Sequence, residues 1–250
     1  MNWKIIHIDE TDSTNRWLHN EFSAGKLEVY CRESGSLPSV NSVVVVTDYQ
    51  TAGRGCGTNT WESERGKNLL FSIMMHPTDI AANEQFRITE IVSVALCQTL
   101  QAYINNKVEI KWPNDIYVGD QKICGILIEN RLQSNTIKES IIGIGVNVNQ
   151  TEFKSDAPNP VSIRQLTGRE TDLKELLQAF LHAFDVTYNC KTTCFAYREM
   201  LYRRQKYATY ATKTSCFTAK LMDVLPDGRL LLVDKDGQEQ LYAFKEVAFI

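Results

Sequence analysis

The chain has 250 residues, a length that suits roughly one to two domains. With 43% hydrophobic and 23% charged residues it can bury a core, and its formal net charge of −3 argues against a strongly basic nucleic-acid binder. No apolar run approaches the ~18 residues of a membrane span, and the first residues read as neither a signal nor a transit peptide, so a cytoplasmic protein is expected.

Thr11, Asp12, Ser13 and Thr14 are N-cap candidates for a helix that starts near Asn15. Residues 42–47 form a β-branched run that reads as a buried strand, and 68–75 form a second. An apolar stripe at helical spacing runs from Glu84 to Ile104. Strands follow at 109–112, 123–128 and 140–146, with Gly119 and Asp120 as the hairpin turn before Lys122. Leu173, Leu176, Leu177, Phe180, Leu181, Phe184 and Tyr188 mark another helix, with Asp172 and Glu175 spaced as a capping box.

A helix from Thr193 to Tyr207 is expected to lead into short strands separated by the turns Pro226 to Gly228 and Asp236–Gly237. Strands that follow one another closely, with helices set aside, indicate an α+β fold with a mixed sheet and a small C-terminal β module. The seven cysteines, at 31, 56, 97, 124, 190, 194 and 216, contain no Cys-x-x-Cys pair. Most are expected to be small buried hydrophobes in a reducing compartment. Cys190 and Cys194, four residues apart, lack a second Cys/His pair that would complete a zinc site.

Four segments stand out chemically. Gly53, Arg54, Gly55, Cys56 and Gly57 lie between two strands. Their backbone can approach a ligand closely, and Arg54 offers a charged fork for carboxylate or phosphate; a plain glycine hairpin with a solvated Arg fits equally well. Lys111, Trp112, Pro113, Asn114 and Asp115 read as a strand that ends at the proline and leaves through an Asx-turn. Lys122 opens the strand 123–128, either snorkelling to solvent or pointing into a cleft. Residues 143–149 alternate apolar with small or amide residues, which packs one sheet face and leaves the other for a ligand, or places Asn147 on a buried backbone group. His7, His19, His76 and His182 share no metal spacing, and no hydrolase motif occurs.

The order of these segments is more specific than any one of them. Thr11 to Asn15, then Gln50 to Gly55 with Trp61, then Lys111 to Ile116, then Lys122 to Leu127, then Gly143 to Asn147 together resemble the biotin protein ligases. The resemblance implies a class II aminoacyl-tRNA synthetase-like catalytic domain over residues 1–207 and an SH3-like β-barrel over 208–250. It implies that ATP and biotin form biotinyl-5′-adenylate, with Mg2+ arriving with the ATP. A lysine of a biotin carboxyl carrier protein domain of a carboxylase then takes the biotin.

By resemblance, Arg54, Lys122 and Asp115 carry the catalysis. Asp115 would position the incoming lysine or contact Mg2+. Ser13, Thr14, Asn15, Gln50, Gly53, Arg54, Gly55, Cys56 and Lys122 would bind biotin. Arg54, Trp61, Lys111, Asn114, Lys122 and Asn147 would bind ATP and the adenylate. Two departures matter. Many relatives carry an additional Arg where Cys56 stands, so one cation is missing here. The first motif begins at Thr11, leaving no room ahead of it for a helix-turn-helix, so an enzyme without nucleic-acid partner or repressor activity is expected. A monomer and a homodimer both remain open, no membrane partner is expected, and lipoate ligation and a non-catalytic biotin sensor are the alternatives.

Overall fold

The structure is a computed structural model that describes residues 1, 3–27, 42–154 and 159–250. The chain forms two compact units, Met1–Ala82 with Asp120–Leu181, and Asn83–Gly119 with His182–Ile250. Cys31 lies outside the described residues.

The first unit is built on β1 (Trp3–Thr11), β2 (Ser42–Gln50), β3 (Leu69–Met75), β6 (Gln121–Gln133) and β7 (Thr136–Val146), in the spatial order β1-β2-β3-β7-β6. β1 runs parallel to β2, and the other pairs are antiparallel. Every residue of β3 is buried, which explains its unbroken apolar run: both faces are covered, so no alternation is needed. α1 (Thr14–Ser23) lays Leu18 on a core of Ile6, Val43, Val45, Met74 and Ile141. Phe71 of β3 meets Phe180 edge-on with ring centroids 5.3 Å apart.

β1 was not anticipated. Its charged and apolar residues do not alternate cleanly because it is an edge strand with mostly half-exposed side chains. The complete capping box belongs to the short α3 (Ile163–Thr167): Ser162 Oγ accepts from Gln165 N–H, and Gln165 Oε1 accepts from Ser162 N–H. At α4 (Leu173–Tyr188), Asp172 accepts the N–H groups of Lys174 and Glu175, which supplies half of the expected box.

The second unit holds α2 (Phe86–Gln101), the antiparallel hairpin β4 (Val108–Lys111) and β5 (Asp115–Val118), and α5 (Thr193–Glu199). It also holds an antiparallel sheet of β8 (Tyr207–Ala211), β9 (Cys216–Val224), β10 (Leu230–Asp234), β11 (Glu239–Tyr242) and β12 (Ala248–Phe249), ordered β11-β10-β9-β8-β12. Tyr210, Ala219, Leu221, Val224, Leu230 and Leu232 are its buried side chains.

Three expectations need correction. The helix expected to Tyr207 stops at Glu199, because tertiary hydrogen bonds take over its backbone: Ile110 N–H donates to Met200 O and Tyr202 N–H to Ile110 O, each at 2.8 Å. The strand before Pro113 does end, at Lys111, but the chain turns back instead of leaving the sheet: Trp112–Asn114 form the tip of the β4–β5 hairpin, with a cis Trp112–Pro113 bond and Lys111 opposite Asp115. Of the six described cysteines, Cys97 and Cys124 are buried and Cys56 is half-buried. Cys190, Cys194 and Cys216 are exposed, so burial is not the common rule.

Candidate active site

In the first unit, Ser13, Thr14 and Asn15 open α1 at the end of β1. All three are buried. Ser13 is the N-cap, its carbonyl accepting from Trp17 N–H at 2.9 Å, while its hydroxyl makes no capping bond. Gln50, at the end of β2, is brought beside them. Its Oε1 accepts from Thr14 N–H at 2.9 Å and lies 3.1 Å from Thr14 Oγ1. Ser72 of β3, fully buried, sits with its Oγ 2.6 Å from both Thr14 Oγ1 and Asn15 Oδ1. Two hydroxyl protons serve these three side-chain contacts, since Gln50 Oε1 and Asn15 Oδ1 only accept.

The network continues through Asn15. Its amide donates to Glu129 Oε2 at 2.8 Å, and Glu129 Oε1 receives Arg54 Nη2 at 3.0 Å. Gln50, Thr14, Ser72, Asn15, Glu129 and Arg54 therefore form one chain of polar contacts along the sheet. Ser72 and Glu129 were missed from the sequence. Their signals were a lone hydroxyl inside an otherwise apolar buried strand, and a carboxylate directly after Ile126 to Ile128.

The glycine loop is a tight turn. Gly55 N–H donates to Asn59 O at 2.8 Å and Trp61 N–H to Gly53 O at 2.9 Å. A Cβ on Gly53 would collide with the Trp61 carbonyl, so glycine is required there for close approach. Cys56 sits half-buried in this loop.

Trp61 lies on β6 and β7. A Cβ on Gly145 would stand 2.5 Å from its ring, and one on Gly125 2.8 Å. These two glycines are register partners, so they pave one patch of the sheet. The indole fills the face that the glycines leave open, and its Nε1 has no hydrogen-bond partner. Lys122 places its ammonium 5.8 Å from the centroid of that ring. Gly143 makes room for Asn15 in the same way. Asn147 donates its amide to Lys122 O at 3.4 Å and its backbone N–H to Ile123 O at 2.9 Å, so it supports the start of β6.

Lys111, Asn114 and Asp115 belong to the second unit. Lys111 and Asp115 face each other in register across the hairpin, and Asn114 stands at its tip. Lys111 Nζ lies 3.2 Å from Tyr117 Oη, 4.7 Å from that ring and 5.6 Å from the ring of Phe249. Burial, reinforced by the nearby Asp115 charge, pushes the Tyr117 phenol up to about 12, so it stays protonated beside the lysine. Among the described residues no cluster of three His, Cys, Asp or Glu side chains forms a metal site, and no helix is long and apolar enough to cross a membrane.

Comparison with known proteins gives this arrangement its context. The model of the biotin/lipoate A/B protein ligase family matches residues 11–147. The chain is 31% identical over 97% of its length to a bifunctional ligase/repressor BirA of Bacillus spizizenii, covering 73% of that protein. It is 28% identical to the biotin–[acetyl-CoA-carboxylase] ligase of Paracoccus denitrificans over 57% of this chain and 61% of the other. The biotin protein ligase of Aquifex aeolicus, solved in complex with biotin and ATP, superposes with a TM-score of 0.74 at 21% identity, over 99% of this chain and 98% of that one. The fold is therefore α+β of the class II aminoacyl-tRNA synthetase-like type, a mixed sheet with flanking helices and a C-terminal antiparallel sheet of the SH3-like kind. A family model spanning more than half of the residues, and a relative of this identity covered for most of its length, agree with the order of the motifs: the chain belongs to the biotin/lipoate A/B protein ligase family.

Proposed function

We propose that the chain is a cytoplasmic biotin–[biotin carboxyl carrier protein] ligase. In the first step the biotin carboxylate attacks the α-phosphorus of ATP, a P–O bond breaks, and pyrophosphate leaves biotinyl-5′-adenylate. In the second, the ε-amine of a specific lysine on a carboxylase's biotin carboxyl carrier protein domain attacks the acyl carbon, forms the amide and releases AMP. Residues 1–207 serve as the catalytic domain and 208–250 as an SH3-like module.

One observation carries this reading: the polar chain Gln50, Thr14, Ser72 and Asn15 beside a sheet patch paved with glycine. Those buried groups pair with one another, and a purely apolar acyl chain could not join their network. A head group with N–H and C=O functions, such as the ureido ring of biotin, can join it. This favours biotin over lipoate within the same family. Ser13 and the glycine loop of Gly53, Gly55 and Cys56 complete that side.

Arg54 and Lys122 are the cations available to the charge that develops at the α-phosphate, where preorganised positive groups stabilise the transition state most. Trp61, Lys111, Asn114 and Asn147 serve the nucleotide, and Asp115 orients the incoming amine. Among the described residues no three His, Cys, Asp or Glu side chains cluster into a site for a resident Mg2+ ion, and Asp115 would meet an ion that arrives with ATP.

The test is incorporation of biotin, against lipoate, into an apo carrier domain with Mg-ATP, comparing wild type with Lys122→Ala. ATP-dependent biotin transfer that the variant loses is the expected result. Lipoate transfer would move the protein to the sister activity. Biotin binding without pyrophosphate release would leave a sensor.

A further inference from the structure

Within the second unit, the hairpin tip that carries Lys111, Asn114 and Asp115 is held from several sides. Trp112 is almost fully buried, and its Nε1–H donates to the carbonyl of Gly228 at 2.9 Å, in the turn between β9 and β10. That turn is itself fixed. Gly228 has φ +88, and a Cβ there would stand 2.5 Å from the ring of Phe86. Phe86 meets Tyr197 edge-on at 5.6 Å, and Tyr197 Oη–H donates to Pro113 O at 2.6 Å. The circuit Trp112, Gly228, Phe86, Tyr197, Pro113 closes on the hairpin tip.

Two further groups join it, Phe244 from the turn after β11 and Phe249 from β12. Phe244 packs edge-on against Trp112 at 6.2 Å, and Phe249 lies beneath the Lys111 ammonium. Burial alone would require only apolar contact. Here two directional hydrogen bonds, one on the side chain of Trp112 and one on the backbone of Pro113, set both the position and the tilt of the tip. Tyr197 is fully buried, which pushes its phenol well above its ordinary value and keeps it a donor.

We infer that the C-terminal sheet and its turns are a brace for the hairpin, and that Trp112, Tyr197 and Phe244 are positioning residues for adenylation, acting through Lys111 and Asn114. The inference rests on the proposed function for what the hairpin does, and on geometry alone for how it is held. A misplacement of about 1 Å at a reacting group costs on the order of a hundredfold in rate, so a side chain that never meets substrate can still set the chemistry.

The experiment compares wild type with Tyr197→Phe, Phe244→Ala and Phe244→Tyr in the full chain, by biotin-dependent pyrophosphate release and by amide hydrogen exchange over residues 108–118. In Tyr197→Phe and Phe244→Ala the KM for ATP rises about tenfold with the KM for biotin unchanged, a milder loss than full displacement of a reacting group. Exchange at the hairpin quickens, and Phe244→Tyr, which keeps the ring, restores both readouts. A merely structural role lowers kcat in proportion to the folded fraction and leaves both KM values alone; that result, or unchanged exchange, overturns the inference. No pyrophosphate from wild type would sink the proposed function and the positioning role with it, while the exchange arm would still uphold or overturn the brace.

Discussion

Arg54 is ion-paired to Glu129, Nη2 to Oε1 at 3.0 Å, and the same carboxylate holds the amide of Asn15. Both charged side chains are about 40% exposed, so the pair itself contributes less than about 1 kcal/mol to stability. Its importance is electrostatic. If Arg54 serves the phosphate as proposed, Glu129 competes with it for the guanidinium. Glu129→Gln is expected to leave the urea midpoint nearly unchanged and to tighten ATP binding several-fold. Weaker ATP binding in a titration would show instead that the carboxylate holds Arg54 in its working position.

Ser72 is the buried hinge of the polar chain. Ser72→Ala removes a hydroxyl that Thr14 and Asn15 both reach, and leaves a buried acceptor or donor without a partner. The cost is about 1–3 kcal/mol, read from urea unfolding. Biotin affinity should fall as well, because Thr14 and Asn15 lose the group that fixes them. A variant as stable as wild type would mean that water or a shifted Asn15 replaces the hydroxyl.

Gly145→Ala places a methyl where the Trp61 indole lies. The ring must move, at about 1–3 kcal/mol, and tryptophan emission should shift to the red. Adding Trp61→Phe shrinks the obstructing ring, so the double variant should recover part of the loss. Strict additivity of the two changes would argue that the pair does not interact.

Glu90, buried in α2, has its carboxyl pushed up to about 7 by desolvation, against the opposing charges of Arg198 and Arg87 and with that of Asp223. The folded protein therefore binds this proton more tightly than the unfolded chain. The contribution to stability is fully present below about pH 4.5 and is lost as pH rises through about 7. Well above that pH the charged carboxylate costs on the order of 3 kcal/mol relative to acid conditions. Glu90→Gln should flatten this part of the stability-versus-pH curve and raise stability at pH 8. An unchanged slope between pH 5 and 8 would assign the titration elsewhere.

The strands with two covered faces were legible as runs: 42–47, 68–75, 123–128 and 140–146 all lie within or against observed strands. What escaped was decided by partners distant in sequence. β1 mixes Lys4, His7 and Asp9 with isoleucines because only part of an edge strand is buried. β5 was hidden by Pro113, which signals the end of a strand whether the chain leaves the sheet or turns back. At the site, Gln50, Thr14, Asn15, Arg54 and Trp61 were legible through their motifs. Ser72 and Glu129 became visible only when β3 and β6 were set beside α1, because a hydroxyl or a carboxylate acquires its role from what stands opposite.

The chain passes from one unit to the other three times, at 82/83, 119/120 and 181/182. During synthesis, α2 and the β4–β5 hairpin leave the ribosome well before the segment that packs on them, because Tyr197, Gly228 and Phe244 all follow residue 181. The early half of this unit must wait, with Trp112 and Phe86 uncovered, while the first unit is already complete. Such a nascent chain offers apolar surface to chaperones and to its neighbours. A late stop codon or a stalled ribosome would then remove Gly228 and Phe244 from the Lys111 hairpin as well as the last strands.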